Sequence, residues 1–465
     1  MPLNTSKAIK PKDTTLFYIF LALIIWLPLP LGSNRPWAWH LMEVMSYSLV
    51  AVWGYHYIQQ KVELPVVFSK NNWLITGLLT FAAIILLQII PFPASLIELL
   101  RPVNKSVEPG NWITLSIDPV ISWLHIKQTL AYTCLAFLTL ALINTRKRLK
   151  VLALVFVISG ALQALYGSLM TLSGIEFGFF FKKEAFHGVA TGTFWNRNHL
   201  ANYLILCLAM GTGLLLSELY QTQSTTWRER SRRILASLLG NKARVRISLA
   251  IMVIALVLTH SRMGNTAFFF SLIASGIIWL AATKRFTRGS IALIISLIVI
   301  DTMIVGAWFG IDKVAERLEG TAFNKETRDE VNRDTLTLIQ DQPLFGTGAG
   351  SFYTAFPQYR QADITLYYDH AHNDYLQFVA EHGLIGVIPL ISIVIAALVL
   401  SVQTMRKRKT LQMQAMAFAP LMSIIAMLLH STVDFSLQLP ANAASFVIVL
   451  SLAWVVRYMP RSAKA

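Results

Sequence analysis

Long apolar runs separated by short polar segments dominate the pattern along this chain. Windows of about 19 residues predict roughly twelve membrane-spanning helices. Their approximate positions are 14–32, 37–57, 73–90, 128–144, 149–172, 199–219, 245–259, 264–282, 291–309, 384–402, 413–429 and 441–458. The first run is longer than the core of a typical signal peptide and no small-x-small cleavage site follows it, so we predict a retained span. The pattern therefore predicts an all-α polytopic membrane protein.

The composition excludes a soluble protein of this length. Apolar residues make up 55% of the 465 residues, charged residues only 14%, and the mean hydropathy is +0.55. So few charges do not cover the surface of a large soluble chain. The two cysteines, Cys134 and Cys207, lie inside apolar runs and therefore predict neither a disulfide framework nor a metal cluster.

The net charge of +16 would, in a soluble protein, raise the question of nucleic acid binding. With the N-terminus inside, however, the loops on the inner side carry roughly twice as many Lys and Arg residues as the outer loops. The inner basic residues cluster at 146–150, 228–246, 284–285 and 406–409. The charge therefore indicates topology: a multi-pass protein with both termini cytoplasmic, the lipid bilayer as a partner, and no nucleic acid.

One polar stretch, from about 311 to 374, is much longer than most of the other loops and lies on the outer side in this topology. Its residues 327–340 are compatible with a helix, and apolar residues follow, so we predict an ordered cap of one or two helices. The outer loops 91–121 and 173–198 are candidates to line the same cavity. We expect three parts: spans 1–5 at 1–178, a core with the long loop between spans 9 and 10 at 179–403, and spans 11–12 at 404–465.

Two arginines occur where the outer ends of spans are expected. Arg197 lies in Gly192-Thr193-Phe194-Trp195-Asn196-Arg197-Asn198-His199, and Arg262 follows Ser261 in a tight turn. Either arginine is explained by an interfacial anchor whose head reaches the lipid headgroups. The functional alternative is a clamp for a phosphate-bearing ligand, because a guanidinium matches phosphate oxygens bidentately.

A third polar constellation, 369–377, closes the long outer loop with the sequence Asp-His-Ala-His-Asn-Asp-Tyr-Leu-Gln. Its histidines, His370 and His372, suit proton transfer near neutral pH, and a neighbouring aspartate is available to orient them. A His-x-His metal site and purely structural histidines remain alternatives. We predict no metal, because the sequence has no second ligand cluster and no Asp-x-Asp motif.

Two further features have simpler interpretations. Residues 346–350, Gly-Thr-Gly-Ala-Gly, miss the spacing of a dinucleotide-binding loop, and we predict a flexible bend after Pro343. Acidic residues in the apolar regions should face the protein interior or a water-filled cavity; they are Glu43, Asp301, Glu381 and Asp434.

Four strings, in this order, resemble the bacterial O-antigen ligase and Wzy-type polymerase superfamily. They cover about 180–386, and they are Gly192-Thr193-Phe194 with Asn196-Arg197-Asn198-His199-Leu200-Ala201; Ser261-Arg262; Pro343-Leu344-Phe345-Gly346-x-Gly348-x-Gly350; and His370-x-His372-Asn373 with Glu381-x-Gly383-x-x-Gly386. Each string alone has low specificity, whereas four in order are fairly specific.

The resemblance implies a membrane glycosyltransferase of the GT-C type in the bacterial inner membrane. Such an enzyme uses a glycan linked to undecaprenyl diphosphate and acts on the periplasmic side without a metal or other cofactor. Carried over by motif, Arg197 and Arg262 would bind the diphosphate and His372 would be the base, with His370 as the other candidate. Predicted supporting residues are Asn196, Asn198, Ser261, Asn373 and Glu381.

The acceptor distinguishes the possible activities within this superfamily. A ligase joins the glycan to lipid A-core, a polymerase joins it to another lipid-linked repeat unit, and a few relatives glycosylate pilin. We favour an O-antigen ligase because that is the commonest family label. A solute or anion transporter and a non-catalytic assembly partner are the alternatives from other classes.

Overall fold

The computed structural model describes residues 13–100, 112–178, 181–218, 241–283, 328–364 and 367–460. The described chain is mainly helical, and its helices are α1 Thr14–Trp26, α2 Pro36–Ile58, α3 Val66–Lys70, α4 Trp73–Ile89, α5 Ala94–Leu100, α6 Pro119–Leu142, α7 Arg146–Ser173, α8 Arg197–Glu218, α9 Asn241–Leu258, α10 Arg262–Thr283, α11 Arg328–Asp341, α12 Phe352–Ala355, α13 Asp374–Lys407, α14 Leu411–Met416, α15 Phe418–His430 and α16 Pro440–Tyr458. Two short antiparallel pairs accompany them, β1 Phe92–Pro93 with β2 Trp112–Ile113 and β3 Phe177–Gly178 with β4 Phe181–Lys182.

The helices support the prediction of an all-α membrane protein. Within the described ranges, six helical segments are long and apolar enough to cross a bilayer. They are α7, α8, α10, α13, the stretch Leu411–His430 and α16, while α1 and α4 are shorter apolar helices. The predicted ninth span, 291–309, and Asp301 lie outside the described residues. The count of twelve spans stays a prediction.

Helix α8 lies at the centre of the bundle, with its whole apolar window buried. Small residues allow its neighbours to approach closely, which is how helices associate inside a membrane. A Cβ added at Gly160 of α7 would lie 2.6 Å from the Cβ of Cys207. One added at Gly213 would lie 3.2 Å from the carbonyl oxygen of Ala415. Helix α8 is thereby held on several sides, which fixes the position of the residues at its N-terminus.

The cap region forms a small apolar core of its own. Helix α11 covers the stretch where the sequence predicted a helix, and α12 continues into a 3-10 turn at Phe356–Gln358. The rings of Phe352 and Phe356 stack with centroids 4.9 Å apart, and Val331 and Leu338 of α11 are buried in the same cluster. Ala380 of α13 also belongs to this cluster, so the cap is packed against the start of α13.

Helix α13 begins earlier than the predicted tenth span. It starts at Asp374 rather than near residue 384, and its helical geometry is interrupted at Gly383, where φ is 65° and ψ is 178°. An added Cβ at this position would collide with the carbonyl oxygen of Leu344. Glycine therefore permits both the backbone angles and the close approach of the 343–350 segment.

Candidate functional site

Three helices, α8, α10 and α13, begin at the same end of the bundle, each within one of the polar segments that contain Arg197, Arg262 and the two histidines. The loop before α8 is attached to α7 by Thr193, whose N–H donates to Gln163 Oε1 over 3.0 Å. Gly192, with φ of 56°, lies so close that an added Cβ would be 2.6 Å from the same oxygen. The Gly-Thr-Phe string thus anchors the turn that presents Arg197.

Arg197 is the first residue of α8 and is half-buried. Asn196 caps this helix, because its Oδ1 accepts from the N–H of Asn198 over 2.9 Å. Asn196, one of the predicted supporting residues, therefore fixes the start of α8. The aromatic Trp195 precedes the cap and is 38% exposed.

Arg262 opens α10 in the same way. Ser261 Oγ accepts from the N–H of Gly264 over 3.1 Å and so caps the helix. A Cβ added at Gly264 would lie 2.7 Å from the Cβ of Ala201, which places the first turns of α10 and α8 in contact. Arg197 is one helical turn before Ala201, and Arg262 is two residues before Gly264. Both guanidinium-bearing residues therefore start their helices at a similar level of the bundle.

The start of α13 is joined to the connection between α15 and α16. Asn373 caps the helix by accepting from the N–H of Leu376 over 3.2 Å. Asp374 is buried, and its Oδ2 accepts from Ser431 Oγ at 2.9 Å and from the N–H of Leu437 at 3.2 Å. Asn373 thus caps α13, and the contacts of Asp374 hold this helix start to the connection between α15 and α16.

Three imidazoles surround the ring of Phe435. His370 stacks on it with centroids 4.2 Å apart, and the edges of His372 and His199 meet it at 4.7 Å and 5.0 Å. His199 belongs to the first turn of α8, two residues after Arg197. The described contacts therefore join His370 and His372 to the start of α8, and Arg262 is connected to them through α8.

His372 has an environment that keeps its imidazole neutral. Burial lowers its pKa to about 4. The positive charge of Arg328 also lowers this pKa, whereas the negative charge of Asp434 raises it. Arg328 is the first residue of α11, and its guanidinium donates to the carbonyl oxygen of Val433 over 3.1 Å. The Nδ1 atom of His372 is buried without a hydrogen-bond partner among the described residues.

Asp434 lies between α15 and α16, not within a span, and it is almost fully buried. Burial alone would raise its pKa, but the nearby His199 and His430 imidazoles and the N–H of Phe435 outweigh that effect and lower it. Asp434 is thus an anion set among histidines. The sequence indicates Asp434 as an acidic residue facing the interior or a cavity, without a defined role. Phe435 is not predictable from it, because a single phenylalanine in an apolar region gives no signal.

The glycines of 346–350 form a bend, as predicted, but the segment is firmly hydrogen-bonded rather than flexible. Gly346, Gly348 and Gly350 all have positive φ angles. The N–H groups of Thr347 and Gly348 donate, each over 2.9 Å, to the carbonyl oxygens of Ala380 and Glu381. The interruption of α13 at Gly383 leaves these carbonyls without helical partners. The third and fourth resemblance strings are therefore one structural unit.

Glu381 lies inside this unit and is 1% exposed. Its Oε2 accepts from the N–H of Gly350 at 3.0 Å, and its Oε1 accepts from Gln377 Nε2 at 3.0 Å. Gln88 of α4 donates to the carbonyl oxygen of Glu381 over 2.9 Å and accepts from the N–H of Ala349 over 3.1 Å. Gln88 was not predicted, because nothing in the sequence of α4 distinguishes it from a lone polar residue in a span.

The remaining acidic residue, Glu43, lies in α2 with its Oε2 2.9 Å from Nδ1 of His40. Among the described residues, no group of three His, Cys, Asp or Glu side chains is arranged to hold a metal ion.

In a comparison with protein families, residues 247–391 match a family model described as O-antigen ligase. The matched segment contains Arg262, the glycine segment, both histidines and Glu381, and it ends after Gly386. A comparison with curated proteins found no match.

Proposed function

We propose that this protein, whose residues 247–391 match a family model described as O-antigen ligase, moves a glycan from undecaprenyl diphosphate to an acceptor hydroxyl. At the level of the family this is a membrane glycosyltransferase of the ligase or polymerase type. The observation that carries the finer proposal is the arrangement around Phe435, where His370, His372 and the first turn of α8 meet.

The diphosphate is proposed to bind between the starts of α8 and α10. A helix N-terminus carries partial positive charge and free N–H groups, and an arginine as the first residue adds its guanidinium charge there, a combination that suits an anion. Arg197 and Arg262 both occupy this position, and their helices are in contact at Ala201. A diphosphate at this level would place its lipid tail along the apolar helices.

His372 is proposed as the base that takes the proton of the acceptor hydroxyl. Its neutral imidazole has a free lone pair near pH 7, because burial keeps its pKa near 4. The acceptor oxygen attacks the anomeric carbon while the bond to the diphosphate breaks, so the configuration at that carbon inverts. The proton of the hydroxyl goes to His372, and the diphosphate leaves with the bonding electron pair.

The two guanidinium groups are proposed to stabilise the charge that grows on the leaving diphosphate. Fixed donors of this kind contribute about 2–4 kcal/mol each to transition-state stabilisation. In this proposal they supply the positive charge without a metal ion. Asn196 and Ser261 would hold the arginines in place through the helix caps already described.

The site is proposed to face the periplasm, across the bacterial inner membrane from the cytoplasmic termini. The basic clusters 146–150 and 406–409 lie at the opposite end of the helices from Arg197 and His372. The positive-inside rule assigns those clusters to the cytoplasm. Lipid-linked glycans are thus expected to enter at the end that carries the cap.

Lipid A-core is proposed as the acceptor, which makes the protein an O-antigen ligase. The test is purified protein in lipid nanodiscs, supplied with a lipid-linked repeat unit, with and without lipid A-core. A glycan joined to lipid A-core supports the ligase, and longer lipid-linked chains without lipid A-core support a polymerase instead. Uptake of a solute by liposomes, without glycan transfer in either mixture, overturns the enzyme proposal.

A further inference from the structure

The side-chain amide of Gln377 lies between Glu381 and His370. Its Nε2 is 3.0 Å from Glu381 Oε1 and also 3.0 Å from His370 Nδ1. Its Oε1 accepts from the backbone N–H of Ala371 over 3.2 Å. Gln377 is buried and belongs to the first turns of α13, and neither the family match nor the polar strings give it a role.

These neighbours fix which way the amide points. The backbone N–H of Ala371 is a donor only, so the atom facing it must be the carbonyl oxygen. On the other side, the Oε1 of Glu381 is an acceptor when the carboxyl is ionised, and its Oε2 already accepts from Gly350. The NH₂ group of Gln377 therefore faces Glu381 and His370.

The orientation of Gln377 determines the tautomer of His370. One hydrogen of the NH₂ group goes to Glu381, and the second is directed at His370 Nδ1. The amide oxygen lies farther from that nitrogen, at 3.3 Å, and is already engaged by Ala371. A ring nitrogen that accepts carries no proton, so the proton of the neutral imidazole is on Nε2.

We infer that Gln377 is a positioning residue that holds His370 as the Nε2–H tautomer, which makes His370 a hydrogen-bond donor and not a base. A neutral imidazole has one ring-nitrogen lone pair, and in His370 that pair accepts from Gln377. Stacking on Phe435 holds the ring in this orientation. The consequence for catalysis rests on the proposed function: proton transfer is left to His372, and the Nε2–H of His370 is available to a sugar or phosphate oxygen.

The tautomer is measurable without any substrate. Full-length protein labelled with ¹⁵N-histidine is placed in nanodiscs at a pH where His370 is neutral, and the His370 signals are assigned by their loss in His370→Gln. We expect a pyridine-type nitrogen at Nδ1 and a pyrrole-type nitrogen at Nε2. A protonated Nδ1 in the unmodified protein overturns the inference, whatever the variants do.

The variant Gln377→Leu tests whether this residue fixes the tautomer. Leucine keeps the volume but removes the donor, so the two His370 tautomers should become mixed. We also expect kcat of glycan transfer to fall about 10- to 100-fold, the range seen when a residue that orients a functional histidine by a hydrogen bond is removed. The KM for the lipid-linked glycan should not change. Unchanged nitrogen shifts in Gln377→Leu overturn the assignment of Gln377.

Gln414→Leu is the matched control. Gln414 is also buried and donates to the carbonyl oxygen of Met405. It belongs to α14 and lies next to the C-terminal end of α13, far along that helix from Gln377. The Gln414→Leu protein should have the His370 nitrogen shifts and the kcat of the unmodified protein. Thermal unfolding of Gln414→Leu and Gln377→Leu shows how much each change destabilises the fold. An equal fall of kcat in both variants contradicts the positioning role. If the unmodified protein transfers no glycan, the proposed function fails, while the tautomer result stands on its own.

Discussion

The two ends of the helix bundle differ in how their charged and polar side chains are satisfied. At the end that carries the basic clusters, Arg148 binds Asp13 bidentately at 2.8 Å and 2.6 Å and lies over the ring of Phe17. Arg408 donates to the carbonyl oxygen of Met459 over 2.7 Å. These contacts connect α1 to α7 and the end of α13 to the end of α16.

At the other end, several buried polar atoms without partners among the described residues lie close to Phe435; they include His372 Nδ1, His199 Nε2 and Asp434 Oδ2. Buried polar atoms without such partners also occur at the basic end, where they include His56 Nδ1, Thr410 Oγ1 and Gln414 Oε1. Leaving such atoms unsatisfied costs about 1–3 kcal/mol each. The atoms near Phe435 come from three separate segments of the chain, and we expect a ligand to complete their contacts. We therefore expect a division of roles, in which the basic end serves mainly the fold and the end at Phe435 serves binding.

The largest effect is expected from His372→Asn. Asparagine tolerates the left-handed backbone of this position, where φ is 52°, but it offers no basic nitrogen. Because the acceptor hydroxyl then lacks its base, glycan transfer should fall about 10²- to 10⁴-fold. Initial rates in nanodiscs measure this.

The control for this change is His56→Asn in α2, whose C-terminus lies at the opposite end. It should transfer glycan at the normal rate, and both variants should unfold at the temperature of the unmodified protein. Normal activity in His372→Asn removes this residue from the mechanism.

A smaller loss is expected when either arginine of the proposed diphosphate site is changed. Arg262→Met and Arg197→Met should each lower kcat/KM by roughly 30- to 1,000-fold, the equivalent of about 2–4 kcal/mol. The corresponding lysine variants should recover only part of this, since an ammonium does not bind two oxygens in parallel. Competition by undecaprenyl diphosphate measures the change in binding.

Arg406→Met provides the comparison at the other end, where Arg406 is exposed in the last turn of α13. It should keep both kcat/KM and diphosphate affinity. Equal losses in Arg406→Met and Arg262→Met would show that net charge, and not a local site, controls the affinity.

The opposite end is tested by Asp13→Asn. This change leaves Arg148, which is mostly buried, without its anionic partner, and breaking such a pair destabilises a protein by about 3 kcal/mol. The unfolding temperature should fall, while kcat measured well below that temperature should not. Asp363→Asn is the matched control, because it breaks a bidentate pair with Arg333 that is nearly half exposed, and it should have little effect. A loss of activity without a loss of stability in Asp13→Asn would contradict the division between the ends.

The sequence predicts helices well where the physical signal is local. Uninterrupted apolar runs indicate the six helical segments that, among the described residues, are long and apolar enough to cross a membrane, and the helix-compatible composition of 327–340 indicates α11. The predicted span starts at 199 and 264 lie within two residues of the helix starts at Arg197 and Arg262. Residues 247–391, which contain three of the four strings, match the O-antigen ligase family model. All of these depend on residues close together in the chain.

Contacts between distant segments were not predictable in this way. The glycine segment was taken for a flexible bend, because its partners, the carbonyls freed at Gly383, belong to another element. Phe435 and Gln377 acquire their roles only when the connection between α15 and α16 meets the start of α13. Arg328 likewise approaches His372 only through the fold.

The smallest effect concerns the pH dependence of transfer. Protonation of His372 removes the base, so kcat/KM should fall on the acid side, with a midpoint well below the ordinary histidine value of 6.5 because the pKa of His372 is about 4. Arg328→Gln removes a positive charge that lowers this pKa, and the acid limb should therefore move upward by roughly half a unit to one unit. Arg333→Gln, on the same helix but paired with Asp363, should leave the limb where it is. Rate profiles of the three proteins between pH 4 and 8 provide the measurement. A limb that stays in place in Arg328→Gln, or moves equally in Arg333→Gln, would show that His372 does not set the acid side of the profile.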